Sequence, residues 1–180
     1  MKLDMSLNDW VMIFAVLFSP FLAVFAQRKI DLSREKRGQK LWVFRTLMAT
    51  RGNKISLDHV QALNSIELFF NNPKSDKEIV EKWNEYLDHL IGQNLKQDDK
   101  GYSTKLAAWS EKNDDLLAEL LQLMSKSLGY DFDKVKIKRG IYSPRGHGEE
   151  MVDHFLIRKK MVEMFSGNQA LSVKIIDQDK

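Results

Sequence analysis

The sequence predicts a mainly α protein: an N-terminal transmembrane helix followed by a bundle of about five helices, with at most a short strand pair near the C-terminus. Three observations carry this. An uncharged run, WVMIFAVLFSPFLAVFA, occupies Trp10 to Ala26. Downstream, apolar residues recur at helical spacing in successive segments, each bounded by capping or breaking residues. The helical period is lost only around 130–148 and in the alternating tail LSVKII.

The first element is the apolar run, broken only by Ser19 and Pro20. Extended back to Leu7 it reaches about twenty residues, the length a helix needs to cross ~30 Å of hydrocarbon. A cleaved signal peptide competes, since Val24-Phe25-Ala26 suits a signal peptidase. Against cleavage, MKLDMSLND sets Asp4 and Asp9 against Lys2, so a basic leading region is missing. Arg28, Lys29, Arg34, Lys36, Arg37 and Lys40 then crowd the far flank, and the positive-inside rule keeps that flank in the cytoplasm. Pro20 is compatible with a span, because kinks are tolerated in membrane helices. The expected organisation is an anchor over 1–29 and a cytoplasmic helical domain over 30–180, with 27–40 as a basic collar. The six basic residues of the collar are the candidate contacts to lipid headgroups.

From Asp31 to Arg51 only Gly38 weakens the helical pattern. Leu41, Phe44, Leu47 and Met48, widened by Trp42 and Val43, give an apolar surface that nearly encircles the segment. Such a helix is expected to be surrounded by others and to continue the anchor as one rod. Gly52-Asn53 is expected to end it in left-handed geometry. Ser56 then reads as an N-cap with Ile55 and Val60 at the staple positions, opening a helix whose His59, Leu63, Ile66 and Phe70 form one stripe. Asn71-Asn72-Pro73 stops it.

Ser75 with Glu78 reads as a capping box for the next helix, with Ile79, Val80, Trp83, Leu87, Leu90 and Ile91 inward and Gly92 at its end. After a polar loop, Thr104 to Leu128 is the longest amphipathic helix, with Leu106, Trp109, Leu116, Leu117, Leu120, Leu121, Met124 and Leu128 on one side and Gly129 as its cap. Val135 and Ile137 alternating with lysines suit either a short strand or one exposed helical turn. A last helix is expected over about 149–165, with Val152, Phe155, Leu156, the Lys159 stem and Met161 to Phe165 as its packing side.

Net charge is +3 over 180 residues, and its distribution says more than its size. Residues 1–26 sum to −1, residues 27–40 to +4 and residues 41–180 to zero. The whole basic excess lies beside the apolar run. That pattern favours anionic headgroups, at ~1 kcal/mol per basic residue near the surface, and disfavours a nucleic-acid footprint. With no cysteine, disulfides, thiolate metal sites and thiol catalysis are excluded.

Three side-chain sets are candidates. Arg45, Arg51, His59 and Asn64 lie on two helices that hairpin together, so they could hold an anion near the second helix's N-terminus. The competing reading has Arg51 complementing its own helix's C-terminus, His59 aiding the cap and Asn64 bonding backbone. His147, Glu150 and His154 fall on one helical side, with Asp153 adjacent and Glu85, Asp88 and His89 as further donors for a metal. No Glu-x-x-His occurs, so a di-iron bundle is unsupported, and charged solvated faces are the competing reading. Lys134, Lys136, Lys138, Arg139 and Arg145 around Tyr142 and Pro144 could touch headgroups, an acidic partner or RNA, or form a solvated edge. Serine-nucleophile, dinucleotide and phosphate-loop motifs are absent. No catalytic, metal or cofactor residue is assigned.

RTLMATR at 45–51, HVQALNSIELFF at 59–70, Trp83-x-x-Tyr86-Leu87, GYDFDKVKIKRGIYSPRGHG at 129–148 and FSGNQALSVK at 165–174 together resemble a family of uncharacterised small bacterial membrane proteins. The resemblance implies one N-terminal span and a cytoplasmic helical domain of unknown function; it brings no enzymatic role. The expectation is therefore a single-pass protein of the bacterial inner membrane, N-terminus outside, whose domain binds a protein partner or itself. Two alternatives stand beside it: an oligomeric membrane pore or effector, and a membrane-tethered ligand sensor or hydrolase.

Overall fold

The computed structural model describes residues 6–96, 98–142 and 144–170; at positions 9, 145, 147 and 151 it describes the backbone alone. The chain divides into two compact units, Met1–Ile141 and Tyr142–Lys180. Among the described residues all regular structure is helical.

A single helix, α1, runs from Leu7 to Thr50 over 44 residues, about 66 Å at 1.5 Å per residue. Pro20 lies inside it without ending it. Every side chain described between Leu7 and Arg37 is exposed, including Trp10, Phe14, Phe18, Phe21 and Phe25. Over its last turns the same helix enters the core through Val43, Phe44 and Leu47. The rod expected from the sequence is therefore continuous.

The end of α1 departs from expectation. No residue near it has a positive φ, so neither Gly52 nor Asn53 is left-handed. Gly52 is needed for proximity instead: a Cβ there would meet the Ile141 side chain at 2.8 Å.

Ser56 caps α2 (Leu57–Asn64), its hydroxyl accepting from the His59 N–H at 3.3 Å. Ile55 and Val60 both stay exposed, so the start of α2 rests on the Ser56 cap rather than on a staple. The expected single helix is interrupted at Ser65, whose hydroxyl donates to the Gln61 carbonyl at 2.8 Å, and it resumes as the short α3 (Ile66–Phe69). Back-bonding of a serine to the preceding turn bends helices in this way. His59, Leu63, Ile66 and Phe70 are nonetheless all buried, so the stripe holds across the break.

The start of α4 (Lys77–Ile91) is a correction: the N-cap residue is Asp76, not Ser75. Ser75 donates its hydroxyl to Asp76 Oδ1 at 3.0 Å, and Asp76 turns its carboxylate inward to Lys40 and to the Asn72 N–H. Ile79, Trp83 and Tyr86 face the core, whereas Ile91 is 73 % exposed, against expectation.

α5 (Tyr102–Ser127) lies along α4 and also packs on α1. Leu116, Leu117, Ala118, Leu120, Leu121 and Met124 are its buried side. It ends in a Schellman motif: Gly129 has φ +80°, Tyr130 N–H bonds the Ser125 carbonyl at 2.8 Å, and Gly129 N–H bonds that of Lys126 at 3.0 Å. The chain that follows is pinned to α1, because the rings of Phe44, Tyr130 and Phe132 lie within 6.0 Å of one another.

Lys134–Arg139 forms a short helix, α6, with Ile137 buried and Val135 exposed. Of the two expectations for this segment, the helical turn is the observed one. In the second unit, α7 spans Arg145–Phe165 and starts four residues before the expected Glu149. The alternating tail at 171–176 lies outside the described residues.

Candidate functional site

The candidate headgroup contacts divide into two groups along the rod. Arg28, Lys29, Arg34 and Lys36 are exposed. Arg37 and Lys40 are drawn into the first unit. Arg37 Nη2 donates to the Leu128 carbonyl at 2.8 Å and so caps the C-terminal end of α5. Lys40 Nζ lies 2.5 Å from Asp76 Oδ2, and 5.2 Å from the centre of the Phe70 ring.

Asp76 is 1 % exposed. Burial raises its carboxyl pKa, but the bonds from Lys40, the Asn72 N–H and Ser75 outweigh this and hold it below the ordinary carboxylate range. Nothing local signals this buried pair, since its two members lie thirty-six positions apart.

At the α1–α2 corner, Arg45 and Asn64 are exposed, Arg51 is half-buried and His59 is fully buried. The Arg51 guanidinium is occupied by carbonyls. Nε bonds Ile137 O at 3.0 Å, Nη2 bonds Gly140 O at 2.5 Å, and Nη1 bonds Met48 O. One side chain thus closes both its own helix end and the end of α6, a fork that lysine cannot reproduce. A cavity of about 40 Å³ beside it is lined by Lys54, Asp114 and Ile137 among others, and takes in none of Arg45, His59 or Asn64.

His59 Nδ1 lies 2.8 Å from Thr50 Oγ1. The Thr50 hydroxyl already donates to the Thr46 carbonyl at 2.7 Å, so it accepts from His59 and fixes the Nδ1–H tautomer. His59 Nε2 is then a bare, buried acceptor without a partner among the described residues. Burial, with the Lys54 charge as the smaller cause, lowers the imidazole pKa to about 4. Thr50 is a partner the sequence reading did not identify, although its position at the end of α1 puts it opposite the first turn of α2. Asn113, on α5, is a second buried polar side chain, and its Oδ1 also lacks a partner among the described residues.

His89 is committed to packing. Its Nε2 lies 3.1 Å from the Trp109 carbonyl, Trp109 Nε1 donates to the His89 carbonyl at 3.3 Å, and the rings stack at 5.2 Å. On α7, His154 Nε2 is 3.8 Å from Glu150 Oε1, both groups exposed, and the His147 side chain lies outside the described residues. Among the described residues no three His, Asp or Glu side chains converge as a metal site would require.

The basic edge is tied to α5. Lys134 bonds Glu119 at 2.6 Å and Lys138 bonds Asp115 at 2.8 Å, while Lys82 bridges Glu119 and Glu85 at 2.9 and 2.6 Å. Lysine bonding, from Lys138 onto Asp115 and from Lys134 onto Glu119, holds both carboxyls below their usual values. Lys136 and Arg139 remain exposed.

A family model described as a family of unknown function (DUF6680) matches residues 5–180, and the chain belongs to that family. No curated protein and no solved structure matches it.

Proposed function

We propose that this member of a family of unknown function is a single-span membrane protein whose first helix serves as both anchor and spine. The observation that carries the reading is the division of α1. Its first half is apolar and wholly exposed, long enough to cross a membrane, and its last turns are core. Water is a poor solvent for an exposed apolar cylinder of this length, and a bilayer is a good one. Arg28, Lys29 and Arg34 stand at the headgroups, and by the positive-inside rule the bundle is cytoplasmic. Its role there is to bind a protein partner or a second copy. The exposed Val152, Phe155, Leu156, Ile157, Met161 and Phe165 of α7 support that role.

The absence of cysteine makes the topology test clean. Asn8→Cys and Ser110→Cys are expressed separately in the full chain in bacterial cells. A membrane-impermeant maleimide added outside should label the first and spare the second until the membrane is opened. Converting Arg28, Lys29, Arg34 and Lys36 to Glu should reduce or invert that asymmetry. Release of the intact chain by carbonate, or labelling of both cysteines in sealed cells, overturns the reading.

A further inference from the structure

Where the rod meets the bundle, α1, the end of α3 with the Asn71-Asn72 turn, and the end of α5 enclose a cleft of about 360 Å³, within the ~300–1,000 Å³ of small-molecule sites. Its wall carries Lys36, Arg37 and Lys40, with Ser33, Gln39 and Asn72 among the polar groups, and among the described residues no acidic side chain lines it. The three cations differ in what they already do. Lys40 is neutralised by Asp76 and Arg37 spends one N–H on the Leu128 carbonyl. Lys36 has no acidic partner among the described residues, and its helical neighbours at three and four positions are Leu32, Ser33, Gln39 and Lys40. None of these offers an opposite charge, and Lys40 repels it.

The carbonyl at the end of α5, the nearest negative pole, is already covered by Arg37. With Asp76 counted, the charge around the cleft is +2. A fixed guanidinium, two ammonium groups and neutral amide and hydroxyl donors suit a multiply charged tetrahedral oxyanion better than a single carboxylate.

We propose that this cleft binds a phosphate-bearing anion, with Lys36 as the receiving charge and Arg37, Gln39 and Asn72 as walls that orient it. The site lies within the first unit and stands without the membrane reading. If the rod does insert, Lys36 lies ten residues past Ala26, about 15 Å along the axis, beyond a headgroup band ~5–8 Å deep. That height favours a soluble phosphorylated molecule, or a lipid whose headgroup carries phosphate well clear of the glycerol.

The test uses the full-length chain in phosphatidylcholine nanodiscs, titrated with inorganic pyrophosphate by calorimetry. A second arm uses nanodiscs doped with a phosphoinositide whose inositol ring carries a phosphomonoester, clear of the glycerol. Saturable pyrophosphate binding is expected, weakened about tenfold by Lys36→Gln, as loss of a charge-assisted bond implies. Gln39→Glu should weaken it as well, and Lys29→Gln should not. Lys36 makes no side-chain bond among the described residues, so circular dichroism and melting should match wild type. Competition by the doped lipid assigns the site to a headgroup, and undiminished binding in doped discs assigns it to a soluble ligand. Absence of saturable binding to either probe overturns the proposal, as does equal weakening by Lys29→Gln and Lys36→Gln.

Discussion

Replacing His59 by leucine should remove a window of acid sensitivity from the first unit while leaving its stability near neutrality almost unchanged. The imidazole is fully buried, and its pKa is lowered from 6.5 to about 4. Between those values the unfolded chain holds a proton that the folded one excludes, so stability falls as pH falls and is complete above pH 6.5. At 1.36 kcal/mol per pKa unit the shift is worth roughly 3 kcal/mol in full, of which about 2 kcal/mol is lost between pH 7 and pH 5. Most carboxylates stay ionised above pH 5, which isolates histidine in that range.

In His59→Leu the Thr50 hydroxyl keeps its bond to the Thr46 carbonyl, so no buried donor is stranded, and the partnerless Nε2 disappears. The expected cost at pH 7 is therefore within about 1 kcal/mol. Denaturant unfolding of the full chain at pH 5 to 7, followed by circular dichroism, measures both quantities. Parallel pH profiles for wild type and variant, or an imidazole resonance of His59 titrating near 6.5, would refute the reasoning.

Two further substitutions test the joints of the bundle. Lys40→Met strands the Asp76 carboxylate in the core and should cost about 3–5 kcal/mol at pH 7. Because the Asp76 pKa is held below its ordinary value, the pair's contribution is complete above that value and fades as pH falls through the folded pKa. The penalty measured by melting should therefore shrink in acid, and adding Asp76→Asn should recover part of it. Arg51→Lys gives up the three-carbonyl fork and should cost about 1–3 kcal/mol. Faster amide exchange confined to α6 and the end of α1 is the distinguishing readout.

The parts legible in the sequence are those fixed by local chemistry. The apolar period placed α1, α4 and α5, and the caps at Ser56 and Gly129 act as their residue types suggest. What escaped was decided by residues distant in sequence. At the start of α4 the Asp76 carboxylate makes no cap bond and turns instead to Lys40, thirty-six positions earlier. Gly52 looked like a left-handed terminator, yet its smallness serves an approach by Ile141, which no local pattern reports. At the candidate corner, the sequence brought Arg51 and His59 near each other but not their partners. Arg51 is saturated by carbonyls eighty-six and eighty-nine positions away, and His59 is sealed beneath the surface. The basic stretch at 134–139 likewise resembled a free cationic patch because its counterions, Asp115 and Glu119, sit one helix earlier.

The collar, which composition alone presents as one feature, is where the proposed anchor and the bundle are joined. Along a helix the side chains turn 100° per residue, so a basic run cannot all face one way. Arg28, Lys29 and Arg34 are exposed on the rod ahead of the bundle, whereas Arg37 reaches the end of α5 and Lys40 the start of α4. These two fasten the rod to the helices beside it, and Val43, Phe44 and Leu47 complete the join one turn farther on. No break in α1 separates the exposed apolar half from that join. A tilt or rotation of the anchor is then passed to the bundle through helix backbone rather than through a linker. On the proposed insertion, the same continuity holds the cleft around Lys36 at a set depth below the lipid surface, a placement that a flexible tether of equal charge would not provide.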